Sequence, residues 1–133
     1  MRSRPAAIIA ATVVCCAALA GPITLVEDGR PTAVIVTGAE PSETVALAAE
    51  EIALYLQRMS GAGVPVQAAP LPDRPAVLVG AKAVEQFAAG LRLPELGPEG
   101  RLLRTLDEGY LLVAGQSEMG TLNGAYDLLH LLG

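Results

Sequence analysis

The sequence contains no tryptophan, one phenylalanine and three tyrosines among its 133 residues. Aromatic side chains with an apolar ring and a polar edge are the usual contact residues of binding surfaces. Two of the tyrosines, Tyr55 and Tyr126, fall at positions that we assign to the apolar faces of helices, which leaves few rings for the surface. We therefore do not expect the chain to be a dedicated carbohydrate-binding module.

Cysteine and histidine are also scarce. The two cysteines, Cys15 and Cys16, lie within the first twenty residues, and His130 is the single histidine. If residues 1–20 are removed, the rest of the chain has no thiol, which excludes disulfides, thiol catalysis and cysteine-bound metals. One histidine is too few for a transition-metal site within one chain. We expect no metal and no cofactor.

Basic residues are few, with nine Lys and Arg against fourteen Asp and Glu, for a formal net charge of −5. Loss of residues 1–20 would remove Arg2 and Arg4 and change the net charge to −7. Nucleic acids and anionic membranes attract clustered Lys and Arg. The acidic balance therefore argues against both as partners.

Residues 1–20 have the pattern of a signal peptide. Arg2 and Arg4 come before an apolar stretch from Pro5 to Ala18, and Ala18-Leu19-Ala20 has small residues where a signal peptidase cleaves. The stretch is shorter than the roughly 20 residues of a membrane span, and an uncleaved anchor is the alternative. The pattern predicts a secreted or periplasmic protein, free of the membrane after cleavage, with a single domain over residues 21–133.

Strand and helix signals alternate along that domain. Ile23–Glu27 and Ala33–Thr37 flank the turn sequence Asp28-Gly29-Arg30-Pro31, which predicts a hairpin or adjacent strands. The longest helical pattern has Ser42 as its N-cap and ends at Gly61. It places seven apolar residues on one face, namely Val45, Ala48, Ala49, Ile52, Tyr55, Leu56 and Met59.

The second half of the domain has a short strand at Val64–Val66, a buried strand at Ala76–Val79 and a brief helix over Ala83–Ala89. Leu91–Gly100 contains two prolines and is expected to be irregular. Arg101–Leu106 and Tyr110–Ala114 form a second hairpin pattern, and a final helix begins at the N-cap Ser117. Its apolar face is expected to comprise Leu122, Ala125, Tyr126, Leu129 and Leu132.

This order of elements predicts an α+β fold, a mixed β-sheet with two main helices packed on one face. Gly120 and Gly124 would let the last helix lie close to the sheet or to the first helix. Several strands lack polar alternation, so the second face of the sheet should also be apolar. It would be covered either by a partner outside this chain or by the loop Leu91–Gly100.

Four blocks resemble the N-terminal accessory domain of α-glucuronidases (glycoside hydrolase family 67) and of β-N-acetylhexosaminidase-type glycoside hydrolases. They are the strands around Asp28-Gly29-Arg30-Pro31, the helix Ala48–Gly61, the strand end Val77–Gly80 and the segment Glu108–Gly133. In those families a catalytic barrel follows this domain. The resemblance implies a zincin-like α+β topology without the metal, and a non-catalytic part of an exported enzyme whose barrel is absent from this sequence.

The reactive residues of the chain do not form a recognisable catalytic set. Glu50 and Glu51 are adjacent on a helix and point about 100° apart, whereas a glycosidase needs two carboxyls facing each other. Asp107 and Glu108 lie in a turn sequence. Ser117 and His130 are separated by roughly 20 Å of helix. We predict no catalytic, cofactor-binding or metal-binding residues.

Two functions remain open on the sequence alone. The first is a non-catalytic N-terminal domain of an exported glycoside hydrolase, inactive by itself, which packs against the catalytic barrel. The alternative is a free-standing secreted interaction or dimerisation module. In either case the partner, a barrel domain or another copy of the chain, would bind through the uncovered face of the sheet.

Overall fold

The computed structural model describes residues 9–11, 23–88, 90–95, 97, 100–106 and 109–133. Within these ranges the chain forms short strands and three helices. In chain order they are β1 (Ile9–Ala11), β2 (Ile23–Glu27), β3 (Arg30–Pro31), β4 (Val34–Val36), α1 (Glu43–Ser60), β5 (Val66–Gln67), β6 (Ala76–Val79), α2 (Ala81–Phe87), β7 (Arg101–Thr105), β8 (Tyr110–Gly115) and α3 (Glu118–Leu132).

The central feature is a five-stranded mixed sheet in the order β5-β4-β6-β8-β7. The first four of these strands are parallel, and β7 runs antiparallel to its neighbour β8. In the middle of the sheet Val77 is paired with both Ile35 and Leu111. The expected α+β class and mixed sheet are confirmed, as is the hairpin formed by β7 and β8.

Helices α1 and α3 pack side by side on one face of this sheet, as expected. They cover the strand residues Ile35, Val77, Val79, Leu111 and Val113. Their own buried residues are mostly small, namely Ala48, Ala49, Ile52 and Leu56 on α1 and Gly120, Thr121, Gly124, Ala125 and Leu128 on α3. Small residues let both helix backbones lie near the sheet, so the buried stripe of each helix is narrow.

The second face of the sheet is covered within the chain. Its strand residues Val34, Val36, Ala76, Leu78, Leu112 and Ala114 are buried. Ala83 and Val84 of α2 pack on them, and Phe87, Leu91 and Leu93 add partly buried apolar contacts. The expectation of an uncovered face is therefore wrong for the described residues, because α2 provides most of the cover and the predicted loop adds only Leu91 and Leu93.

The first hairpin differs from its sequence pattern. β2 turns at Asp28-Gly29 and pairs with the short β3, whereas β4 lies in the other sheet between β5 and β6. The switch occurs at Thr32 and Ala33, whose backbone N–H groups both donate to the carbonyl of Leu25. The chain thus leaves one sheet and enters the other within two residues.

The segment that we interpret as a signal peptide contributes one described strand. β1 pairs antiparallel with β2, with Ile9 opposite Val26 and Ala11 opposite Ile23. None of the described helices combines the length and the apolar character that crossing a bilayer requires. Cys15 and Cys16 lie outside the described residues.

Candidate functional site

The described fold has two concave surfaces that bear on function, and the first lies at the carboxyl ends of the parallel strands. In the sheet, β4 and β6 are neighbours. The connection after β4 leads to β5 on one side of this pair, and the connection after β6 leads to β7 and β8 on the other side. Open α/β sheets bind ligands in the crevice at such a point. The cleft measures about 150 Å³, and its lining includes Thr37, Ser42, Gly80, Lys82, Gly115 and Ser117. We call it the strand-end cleft.

The hydroxyl groups in the strand-end cleft hold the helices in place. Ser42 Oγ accepts a hydrogen bond from the Val45 N–H at 3.2 Å, and Ser117 Oγ accepts one from the Gly120 N–H at 3.0 Å. These are N-cap bonds, and both caps are confirmed. Glu118 is the single carboxylate among the residues that line the cleft. The paired carboxyls of a glycosidase are therefore not found among them.

The side chain of Gln116, which we call the Gln116 strap, connects the strand-end cleft to the irregular segment before β7. The Gln116 side chain accepts a hydrogen bond from the Gly97 N–H at 2.9 Å and donates one to the Pro94 carbonyl at 3.1 Å. One amide therefore holds two points of the irregular segment beside the end of β8. This function could not be predicted from the sequence, because a glutamine in a turn has many possible partners.

We expect Gln116→Ala to loosen that segment while leaving the sheet intact. The Gly97 N–H loses its protein acceptor, so its exchange with solvent should accelerate, at a cost to global stability of about 1 kcal/mol or less. Amide exchange measured by NMR checks this. Gln57→Ala, on the exposed side of α1, is the matched control and should leave Gly97 exchange unchanged.

The second concave surface lies between the carboxyl-terminal halves of α1 and α3. This interhelix cleft measures about 270 Å³ and is lined by Tyr55, Tyr126, Leu129, His130 and Gly133. Tyr55 is 38% exposed and Tyr126 is 39% exposed. Their placement on buried helix faces was wrong, as was that of Met59, because the narrow stripes of small residues leave these side chains at the flanks.

Polar groups surround the two rings. The Tyr126 hydroxyl donates to Glu51 Oε1 at 3.4 Å, and the Arg58 guanidinium lies 5.3 Å from the centre of the Tyr55 ring. Loss of hydration at the Tyr126 hydroxyl, followed by the negative charge of Glu51 and the hydrogen bond to it, raises the pKa of Tyr126 above its usual 10.0. The phenol is thus kept neutral beside a carboxylate.

We expect Glu51→Gln to lower the pKa of Tyr126 toward its usual value, because the neutral amide removes the repulsion. In the wild type the pKa of the folded state exceeds that of the unfolded state. The stability that Tyr126 contributes is therefore complete below about pH 10 and is lost as the pH rises through the folded-state pKa.

An absorbance titration of tyrosinate checks this shift, with Tyr126→Phe to assign the signal. Glu50→Gln is the control, since Glu50 is exposed and has no described contact with the ring. An equal shift in both glutamine variants would contradict the assignment to Glu51.

The residues weighed as catalytic candidates are scattered. Ser117 caps α3 at the strand-end cleft, whereas His130 lines the interhelix cleft near the other end of the same helix. Glu51 is bound to Tyr126, and Glu50 faces solvent. Asp107 and Glu108 lie outside the described residues. Among the side chains that the structure places, no three His, Cys, Asp or Glu come together as metal ligands.

The comparisons with known proteins agree with this fold. The family model described as the N-terminus of glycosyl hydrolase family 67 matches residues 26–128. A solved structure of a family GH115 4-O-methyl-α-glucuronidase, with specificity for decorated arabinogalactans, is similar with a TM-score of 0.64 and 24% identity. The match covers 78% of this chain and 14% of that one, so this chain spans a small part of its length. No curated protein matches the sequence.

The family match extends from β2 into α3 and so includes the whole five-stranded sheet and nearly all of its helical cover. The similar structure supports the same fold independently. The chain belongs to the family of N-terminal domains of family 67 glycosyl hydrolases.

Proposed function

We propose that this chain acts as the non-catalytic accessory domain of an exported α-glucuronidase-type glycoside hydrolase, and that it works by packing against the catalytic barrel. The observation that carries the proposal is the family match over residues 26–128. A domain named for its position at the N-terminus of an enzyme has the rest of that enzyme as its natural partner.

The geometry of the clefts supports a structural function. The strand-end cleft has one carboxylate, and its serines serve as helix caps. The interhelix cleft has Glu51 bound to a tyrosine at its edge. Acid catalysis of glycoside cleavage uses two carboxyls about 5–9 Å apart across a sugar site. The described residues offer packing surfaces in place of that arrangement.

The proposal includes export and a finer topology. The pattern of Arg2, Arg4 and the small residues Ala18 and Ala20 supports cleavage after residue 20. The mixed sheet with α1 and α3 on one face supports the zincin-like, hexosaminidase-like topology. Export is tested by expressing the full chain in a bacterial host and measuring its mass in the periplasm. A mass that retains residues 1–20 would contradict it.

The main experiment combines the full chain with the catalytic region of a family 67 α-glucuronidase that lacks its own N-terminal domain. Size-exclusion chromatography with light scattering should show a 1:1 complex. The chain alone should release no 4-O-methylglucuronic acid from 4-O-methylglucuronoxylo-oligosaccharides. Turnover by the chain alone would overturn the non-catalytic assignment. A stable homodimer that does not bind the catalytic region would favour a dimerisation module.

A further inference from the structure

We propose that the interhelix cleft is the surface by which this domain docks on the catalytic domain of its enzyme. The inference rests on the proposed function and adds the place of contact. It concerns Tyr55 and Tyr126, which the sequence pattern had assigned to the core, together with the neighbouring Met59 at the end of α1.

The composition of the cleft is that of a protein interface. Two partly exposed tyrosines line it, and Met59, which is 40% exposed, adds apolar area beside Gly133. Glu51, Arg58 and His130 supply polar groups around the rings. Interfaces that bind proteins tightly combine aromatic and methionine side chains at the centre with a polar rim.

The position of the cleft in the fold identifies the occupant. Gly133 directly follows the last residue of α3 and lines the cleft. The Met59 sulfur lies beside it, 3.9 Å from the position that a Cβ on residue 133 would take. The family match ends at residue 128, within α3, so in an enzyme with this N-terminal domain the rest of the polypeptide follows from this end of the domain. The similar GH115 chain has most of its length outside the matched region. In an enzyme with this N-terminal domain, the catalytic portion would therefore begin beside this cleft.

Two other surfaces fit a docking function less well. The second face of the sheet is covered by α2, Leu91 and Leu93. The strand-end cleft is smaller, its hydroxyl groups cap two helices, and the Gln116 strap lies at its border. The interhelix cleft combines exposed rings with proximity to the partner.

The test measures binding of the full chain to the same family 67 catalytic region by isothermal titration calorimetry. Tyr55→Ser and Tyr126→Ser should each weaken binding by about 30-fold or more, as expected for central aromatic residues. Tyr126→Phe, which keeps the ring, should bind nearly as tightly as the wild type. Leu71→Ser is the control, because Leu71 is equally exposed at 38% but lies in the loop before β6.

Amide exchange of the wild-type complex adds a second measurement that requires no substitution. The carboxyl-terminal turns of α1 and α3 should gain protection on binding. If a complex forms but the tyrosine variants bind like the wild type and these turns gain no protection, the docking surface is wrong and the proposed function stands. If no complex forms, the proposed function itself fails.

Discussion

Gly120→Ala is expected to lower the free energy of unfolding by about 2–3 kcal/mol, although alanine is the better helix former by about 1 kcal/mol. The reason is the contact of α3 with the sheet. A Cβ at residue 120 would lie 2.5 Å from the Gly100 carbonyl oxygen and 3.3 Å from the Gly115 Cα. Both neighbours are backbone atoms, so relief requires that α3 move or that the backbone at Gly100 and Gly115 shift.

The measurement is thermal or urea unfolding followed by circular dichroism. For a domain of this size, the expected loss corresponds to a fall in Tm of about 7–13 °C. Gly124→Ala is the matched control on the same helix, one turn later. Its Cβ would lie 3.3 Å from the Arg101 Cβ and 3.4 Å from Val113 Cγ1, contacts that a shift of a few tenths of an ångström relieves. Its effect should stay within about 1 kcal/mol.

Equal losses in the two variants would contradict this account, because they would show a general requirement for glycine in α3. Both glycines were predicted from the sequence to be sites of close approach, and the structure confirms this. The difference between them depends on Gly100, which lies twenty residues earlier and meets α3 at the start of β7. No spacing within the helix could have revealed it.

Local signals predicted much of the fold. Ser42, Ser117 and Gly61 mark helix ends because their capping bonds and the positive φ of Gly61 involve nearby residues only. The β7–β8 hairpin is likewise local, because its two antiparallel strands are neighbours in the sequence. The strand β4 was misplaced because the turn at Asp28-Gly29 suits either of the two following segments, and pairing with β6 depends on residues some forty positions away.

The candidate surfaces were less predictable than the elements. Tyr55 and Tyr126 have helical spacing that suits a buried face, but small residues such as Ala48 and Ala125 occupy the contact with the sheet. Large rings at the flank of such a stripe are left partly in solvent. Periodicity gives the direction of a side chain to within one helical position, which is too coarse to separate a core tyrosine from a surface tyrosine.

Leu78→Ala is expected to lower the free energy of unfolding by about 3 kcal/mol, as for other large-to-small changes in a filled core. Leu78 is fully buried on the second face of the sheet, where Val84 of α2 and Leu91 belong to the same cluster. The cost combines lost burial with the cavity that the surrounding side chains cannot fill. Urea unfolding of the full chain measures it.

The size of this loss distinguishes a closed core from an open docking surface. If the second face were open in the isolated chain, the Leu78 side chain would already contact water, and its truncation would cost under about 1 kcal/mol. Leu71→Ala is the control, since this exposed loop leucine should change stability by no more than about 0.5 kcal/mol. A small change in the free energy of unfolding for Leu78→Ala would indicate that the second face of the sheet is open and could bind the partner. A large effect places the sheet wholly within this domain's core and leaves docking to the helices.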